Sequence, residues 1–196
     1  MNKFTLSVAT VMAMSTFSIA DGDIKPLALD GNLYGGIAYG MVNTEADALY
    51  YGDSLGLDID HSMFMLQAGY QFHTNLAVEW RYWNAIGDAD ATVSYNNVSE
   101  SADLDDDSSA WGIYLKPMYP VNETFTVYGL VGYGGFTFDT EAASEDGSNF
   151  QWGLGGAYDI TDNVALFVDY VRIYDDDDAY SNINTGSLNF GATYKF

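Results

Sequence analysis

Cysteine is absent from all 196 residues. That excludes a disulfide framework and thiolate metal sites. It also suits a chain that crosses an oxidising periplasm unfolded, where a stray thiol would be trapped. Cations are nearly as scarce: six Lys and Arg stand against 28 Asp and Glu, for a net charge of −22. Nucleic-acid binding needs a cationic face, so that class of partner is excluded. Histidine occurs only at 61 and 73. Past the first twenty residues, no apolar run approaches the roughly 20 residues of a membrane helix. What remains is apolar and aromatic: 48% hydrophobic, with 16 Tyr, 11 Phe and 4 Trp. That content is ample for a core and argues against disorder despite the charge.

The first stretch reads as a secretory leader. Lys3 precedes an apolar run from Phe4 to Phe17, and Ser18-Ile19-Ala20 places small residues where a signal peptidase cuts. The division expected is a leader over 1–20, a periplasmic lead-in over 21–30 and one domain over 31–196. If the mature chain sits in a membrane, it must do so as a closed barrel, the one alternative to helices that pairs every backbone group.

The final strand shows the pattern best. Leu188, Phe190, Ala192, Tyr194 and Phe196 share one parity, and Asn189, Gly191, Thr193 and Lys195 share the other. Such alternation gives a strand with one apolar and one polar face. Seven further strands are expected, at about 32–43, 62–72, 76–83, 110–119, 124–138, 149–160 and 164–174. The phase of the strand at 124–138 is open, because both its faces are apolar or glycine. Short turns at His73-Thr74-Asn75, Pro120-Val121-Asn122-Glu123 and Thr161-Asp162-Asn163 alternate with four long polar connections. A weak repeat relates Thr74–Val78 to Thr161–Leu166 and sets Arg81 opposite Asp169. Thirteen of the 20 glycines fall inside these strands, as a narrow, sharply curved barrel requires.

Charge is sorted along the chain. Most acids lie in the long connections, whereas Arg81, Lys116, Arg172 and Lys195 lie in strands. Glu79, Arg81, Lys116, Asp169 and Lys195 have inward parity. A lone charge in a dry interior costs several kcal/mol, so they should pair, with Gln67, Gln71, Gln151 and Asn189 completing the hydrogen bonds. Arg172 has outward parity unless a bulge near Val171 turns it in. The runs Asp103–Asp107 and Asp175–Asp178 lack the spacing of a calcium loop. They read as a solvated acidic face, and divalent cations bridging them to lipopolysaccharide phosphates are a further expected partner.

Leader, alternating strands, short-turn and long-loop order and the terminal Tyr194-Lys195-Phe196 together resemble the small eight-stranded outer-membrane β-barrel family of the OmpA/OmpX type. The resemblance covers about 31–196. It implies an all-β, antiparallel, up-and-down transmembrane barrel with periplasmic turns and extracellular loops, set among outer-membrane lipid and lipopolysaccharide. Val78-Glu79-Trp80-Arg81-Tyr82 resembles that family's charged inward pair. Tyr194 and Phe196 resemble the C-terminal signal read by the barrel assembly machinery. Some barrels of this size act on lipid A. Here His61 and Ser62 are adjacent on a strand and point to opposite faces, and His73 sits at a turn, so no catalytic residue and no cofactor is expected. The leading functional reading is a non-enzymatic barrel with a structural or surface-interaction role. The alternatives are a small porin and a soluble ligand-binding barrel, whose apolar parity would point inward.

Overall fold

The alternating pattern is realised as ten β-strands: β1 (Asn32–Tyr50), β2 (Asp53–His73), β3 (Leu76–Ala85), β4 (Ala89–Tyr95), β5 (Val98–Leu104), β6 (Ser109–Pro120), β7 (Phe125–Asp139), β8 (Ser144–Asp159), β9 (Val164–Asp177) and β10 (Ser181–Lys195). The structure, a computed structural model, describes residues 31–50, 53–95, 98–139, 144–177 and 181–196. The leader and lead-in expected over 1–30 lie outside the described residues. Eight strands pair in the order β1-β10-β9-β8-β7-β6-β3-β2, and the β1–β2 ladder closes the ring. Every pairing is antiparallel, as a chain of hairpins demands. The three short turns stand where the sequence places them. In one, Asn122 Oδ1 accepts the backbone N–H groups of Thr124 and Phe125.

The connections differ from the sequence reading. Three of the four long polar segments are continuations of the hairpins, so that β1 and β2 stay in register from Asn32↔Gln71 up to Tyr50↔Asp53. The fourth holds the extra hairpin β4–β5, in which Asp90–Tyr95 pairs with Leu55–Asp60 of β2 above the end of β3. Apolar alternation stops where the strands leave the membrane, but backbone pairing does not need it. Hence strands expected to end at Asn43 and to start at Ser62 run on for several residues. Among the described strands, β5 pairs with β4 alone, which leaves its other edge open.

The faces decide the environment. Ile37, Phe150 and Leu154 are each more than half exposed, and Trp111 and Trp152 also point out. An apolar belt encircling the barrel far exceeds what a water-soluble monomer shows, so this face contacts lipid. On β1 the belt runs from Leu33 to Met41 and gives way to Asn43. That span is close to the roughly 9–11 residues of a tilted crossing strand. The soluble-barrel alternative, with apolar side chains inside, is thereby overturned.

The inside is filled. Tyr128 and Leu130 are buried and Val127, Val131 and Tyr133 exposed, which fixes the phase of β7. A barrel of eight strands has room only for side chains, and glycine makes that room. A Cβ on Gly134 would stand 2.6 Å from the amide of Gln151, and one on Gly69 would meet the ring of Tyr34.

Candidate functional site

The centre of the barrel is a balanced charge network built on β3. Glu79 and Arg81 are two residues apart on one strand, so both point inward and lie side by side. Arg81 Nε donates to Glu79 Oε1 at 2.6 Å. Its Nη1 and Nη2 form a fork on Asp169 Oδ1 and Oδ2, at 2.9 and 2.7 Å. Glu79 Oε2 accepts from Lys116 Nζ at 2.7 Å and from Tyr34 Oη at 2.5 Å. Asp169 accepts from Tyr128 Oη at 2.8 Å and from Asn189 Nδ2 at 2.9 Å. Asn189 Oδ1 in turn accepts from Trp83 Nε1 and Ser187 Oγ. Lys116 Nζ lies 4.0 Å above the centre of the Tyr128 ring, where the π face favours a cation.

Two cations and two carboxylates thus neutralise one another. Glu79 and Arg81 are wholly removed from solvent. The arrangement suits such a place because each charge has an opposite partner and neutral donors take the remaining lone pairs. On the extracellular side of this layer the inward positions turn apolar, with Trp83, Met63, Val42, Val171 and Ile173 packed together. Beyond them His61 Nδ1 and Asp106 Oδ2 meet at 2.6 Å. The segment after β5 supplies that contact, and Ser108 N–H caps Asp106 Oδ1 at 3.0 Å. Burial pushes the Asp106 carboxyl up, but the hydrogen bonds from His61 and Ser108 outweigh it and hold the group below its ordinary value of 3.8.

The remaining sequence candidates fall elsewhere. Lys195 leaves the network: it pairs at 3.3 Å with Asp159, partly exposed at the opposite end of the barrel. Gln151 accepts from Tyr114. Gln67 completes nothing, since neither amide atom has a hydrogen-bond partner among the described residues. Gln71 reaches the turn carbonyl of Thr74. Arg172 faces outward, beside Asp175 at 3.5 Å. The register slips at Thr185/Gly186, opposite Ile173. Val171 and Ile173 both point in, so the slip does not turn Arg172. Tyr194 and Phe196 are exposed and meet edge to face, with centroids 5.2 Å apart. Ser62 points out to the Tyr39 hydroxyl, away from His61, and His73 Nδ1 accepts the N–H of Asn75 in its turn. Among the described residues, no three His, Asp or Glu side chains converge to hold a metal.

Sequence reasoning missed Tyr34, Trp83, Tyr128 and Ser187 as network members. Parity assigns Tyr34, Trp83 and Ser187 inward, but aromatic residues in barrel strands ordinarily suggest the interface girdles, and Tyr128 lies on the strand whose phase the sequence leaves open.

Known proteins agree with this architecture. The structure of Pseudomonas aeruginosa OprG is similar with a TM-score of 0.57 at 16% identity, covering 83% of this chain and 95% of that one. AlkL, solved in DMPC bilayers, gives 0.56 at 16% identity, covering 92% and 97%. The Escherichia coli outer membrane protease OmpT gives 0.55 at 8% identity, covering 93% and 100%. At such identities the likeness shows the fold alone. Comparison with curated proteins finds no match. The profile of the outer membrane protein beta-barrel domain matches residues 4–196, and the chain, an integral protein of the Gram-negative outer membrane, belongs to that family.

Proposed function

We propose that this protein is a non-conducting, non-enzymatic barrel that contributes to the envelope and presents acidic hairpins to the exterior. The observation that carries the reading is the closed interior. Arg81 is held on three sides by Glu79 and Asp169, beneath a packed apolar layer. A permeating ion needs exchangeable ligands and water, and this core offers neither in series. The hairpins support the surface role. They carry most of the acids and a strand, β5, whose outer edge is open to pairing. Divalent cations between those acids and lipopolysaccharide phosphates would tie the hairpins to the outer leaflet. The exposed Tyr194–Phe196 pair is the element we assign to recognition by the assembly machinery.

Planar-bilayer recording of the purified chain tests this reading. The expected outcome is a silent membrane. A second reading, a narrow porin, is favoured by both amide atoms of Gln67 and by Gln151 Nε2, which are buried without a hydrogen-bond partner among the described residues and so invite hydration. Unitary steps whose ion selectivity changes in R81Q or K116Q would establish that second reading and overturn the first.

A further inference from the structure

Three of the four long hairpins leave the barrel with their ladders running on. β1 and β2 stay in register to Tyr50↔Asp53 and β7 and β8 to Asp139↔Ser144, while β9 and β10 slip once, at Thr185/Gly186. In the second hairpin both strands are interrupted at one level. β3 ends at Ala85 and β4 starts at Ala89; β5 ends at Leu104 and β6 starts at Ser109. Below the interruption Ala85 N–H reaches the Ser108 carbonyl at 2.9 Å, and above it the ladder resumes at Ala89↔Leu104. The break on the ascending strand contains Gly87, with φ at +80° and nothing within 4 Å of where a side chain would begin. Only glycine takes that conformation without strain. Beyond the break, residues 90–95 of β4 rest on residues 55–60 of β2, and among the described strands β5 pairs with β4 alone. The apolar contacts here form a cluster apart from the barrel core: Ile59, Ala89 and Ala91, with Leu57 and Leu104 against them. A hairpin attached along one edge, above an interrupted base, is built to pivot.

Two contacts act on that base in opposite senses. Asp60, Asp90 and Asp103 stand directly opposite one another across β2, β4 and β5, and all three are exposed. Like charges facing each other on adjacent strands are destabilising. Asn43 Nδ2 donates to Asp60, but among the described residues no cation pairs with any of the three. The row therefore pushes β4 away from β2. The opposing contact is Asp106 on His61. It ties the interrupted segment to β2 at 2.6 Å, with the two side chains 1% and 0% exposed. Salt separates the two effects. The Debye length shrinks from about 30 Å at 0.01 M to about 8 Å at 0.15 M, which weakens repulsion between exposed charges and largely spares a buried pair.

We propose that β4 and β5 form a hinged arm, pushed outward by the Asp60–Asp90–Asp103 row and latched by Asp106 on His61. Low ionic strength opens the arm and higher ionic strength closes it, while the eight-stranded ring stays intact. The acidic surface thereby has one element that can be reoriented, whether or not the barrel conducts. The test is amide exchange by NMR on the full chain folded in detergent micelles, read as protection relative to the intrinsic rate. His61→Phe removes the latch and keeps a ring against Phe136. In that variant protection across β4 and β5 should fall by one common factor, about tenfold, with β7 and β8 unchanged. Raising the salt from about 0.01 to 0.15 M should win back part of the loss, as should adding Asp90→Asn. Cysteine pairs distinguish a hinge from fraying, since the chain has no cysteine of its own. Thr92 stands opposite Asp58 on one side and Ser101 on the other, at the roughly 4.5–5.5 Å between Cα atoms that a disulfide can bridge. Added to His61→Phe and oxidised, T92C/D58C clamps the arm to β2 and should restore protection. T92C/S101C ties β4 to β5, leaves the hinge free and should restore nothing. Asp106→Asn removes the same latch from the other side, should His61→Phe fold poorly. Restoration by T92C/S101C, or protection that falls off stepwise toward the turn, would mean fraying and overturn the proposal. So would full protection at every salt concentration in a latch variant that still migrates unheated as a folded barrel.

Discussion

At the scale of single residues, the pairing of Arg81 with Asp169 decides whether the barrel interior is an asset or a burden. Removing one member of a buried pair leaves an uncompensated charge and costs about 3–5 kcal/mol, whereas replacing both by apolar groups is often close to neutral. Asp169→Asn should therefore lower the urea midpoint of the barrel in lipid vesicles sharply, because Arg81, Tyr128 and Asn189 all donate to that carboxylate. The double change R81M/D169L should recover much of the loss, since Glu79 keeps Lys116 as its partner. A cycle in which the two single changes simply add would show that the fork contributes no coupling. Parity made the inward placing of Arg81 and Asp169 legible, and the repeat gave them equivalent positions on two hairpins, but their meeting across the barrel is set by its closure. Their aromatic donors were not legible, because Tyr34 and Tyr128 read equally well as girdle residues until the ring closes around them.

At the scale of elements, the connection from β5 to β6 is held down mainly through Asp106. Ser108 reinforces it, its carbonyl accepting the N–H of Ala85 at 2.9 Å. Because the Asp106 carboxyl is held below its ordinary value, the contact contributes fully at neutral pH. It is lost as the pH falls below about 4 and the group takes up a proton. The protection of the Ser108 and Ala85 amides against exchange, taken relative to the intrinsic rate at each pH, should accordingly fall on acidification through that window and hold steady from pH 5 to 8. In Asp106→Asn the protection should be lower at neutral pH and the acid step should vanish; an unchanged acid step would assign it to another group. This element was invisible in the sequence. Val98-Ser-Glu-Ser-Ala-Asp-Leu104 carries polar residues on both faces, since water rather than lipid lies outside it. The spanning strands were legible for the opposite reason: lipid on one side and a narrow core on the other impose a period of two.

At the scale of the whole molecule, the fold is a soluble protein turned inside out, and the tryptophans report it. Trp111 and Trp152 stand on the lipid face, Trp80 shares their parity, and Trp83 is buried against Asn189 in the core. One residue separates Trp83 from its exterior neighbours in parity, so a shift of register by one would exchange them all. Lipids brominated along the acyl chain quench only indoles they touch. In vesicles of such lipids, a variant retaining Trp152 alone should lose most of its fluorescence, and one retaining Trp83 alone should keep it. Acrylamide from the aqueous phase should spare both, because one is in lipid and the other is enclosed by Met63, Val171 and their neighbours. Strong quenching of the Trp83-only protein by bromolipid would mean that the polar network faces the bilayer. No arrangement of Glu79, Arg81 and Asp169 could then satisfy their charges, because the hydrocarbon region supplies no partner for them.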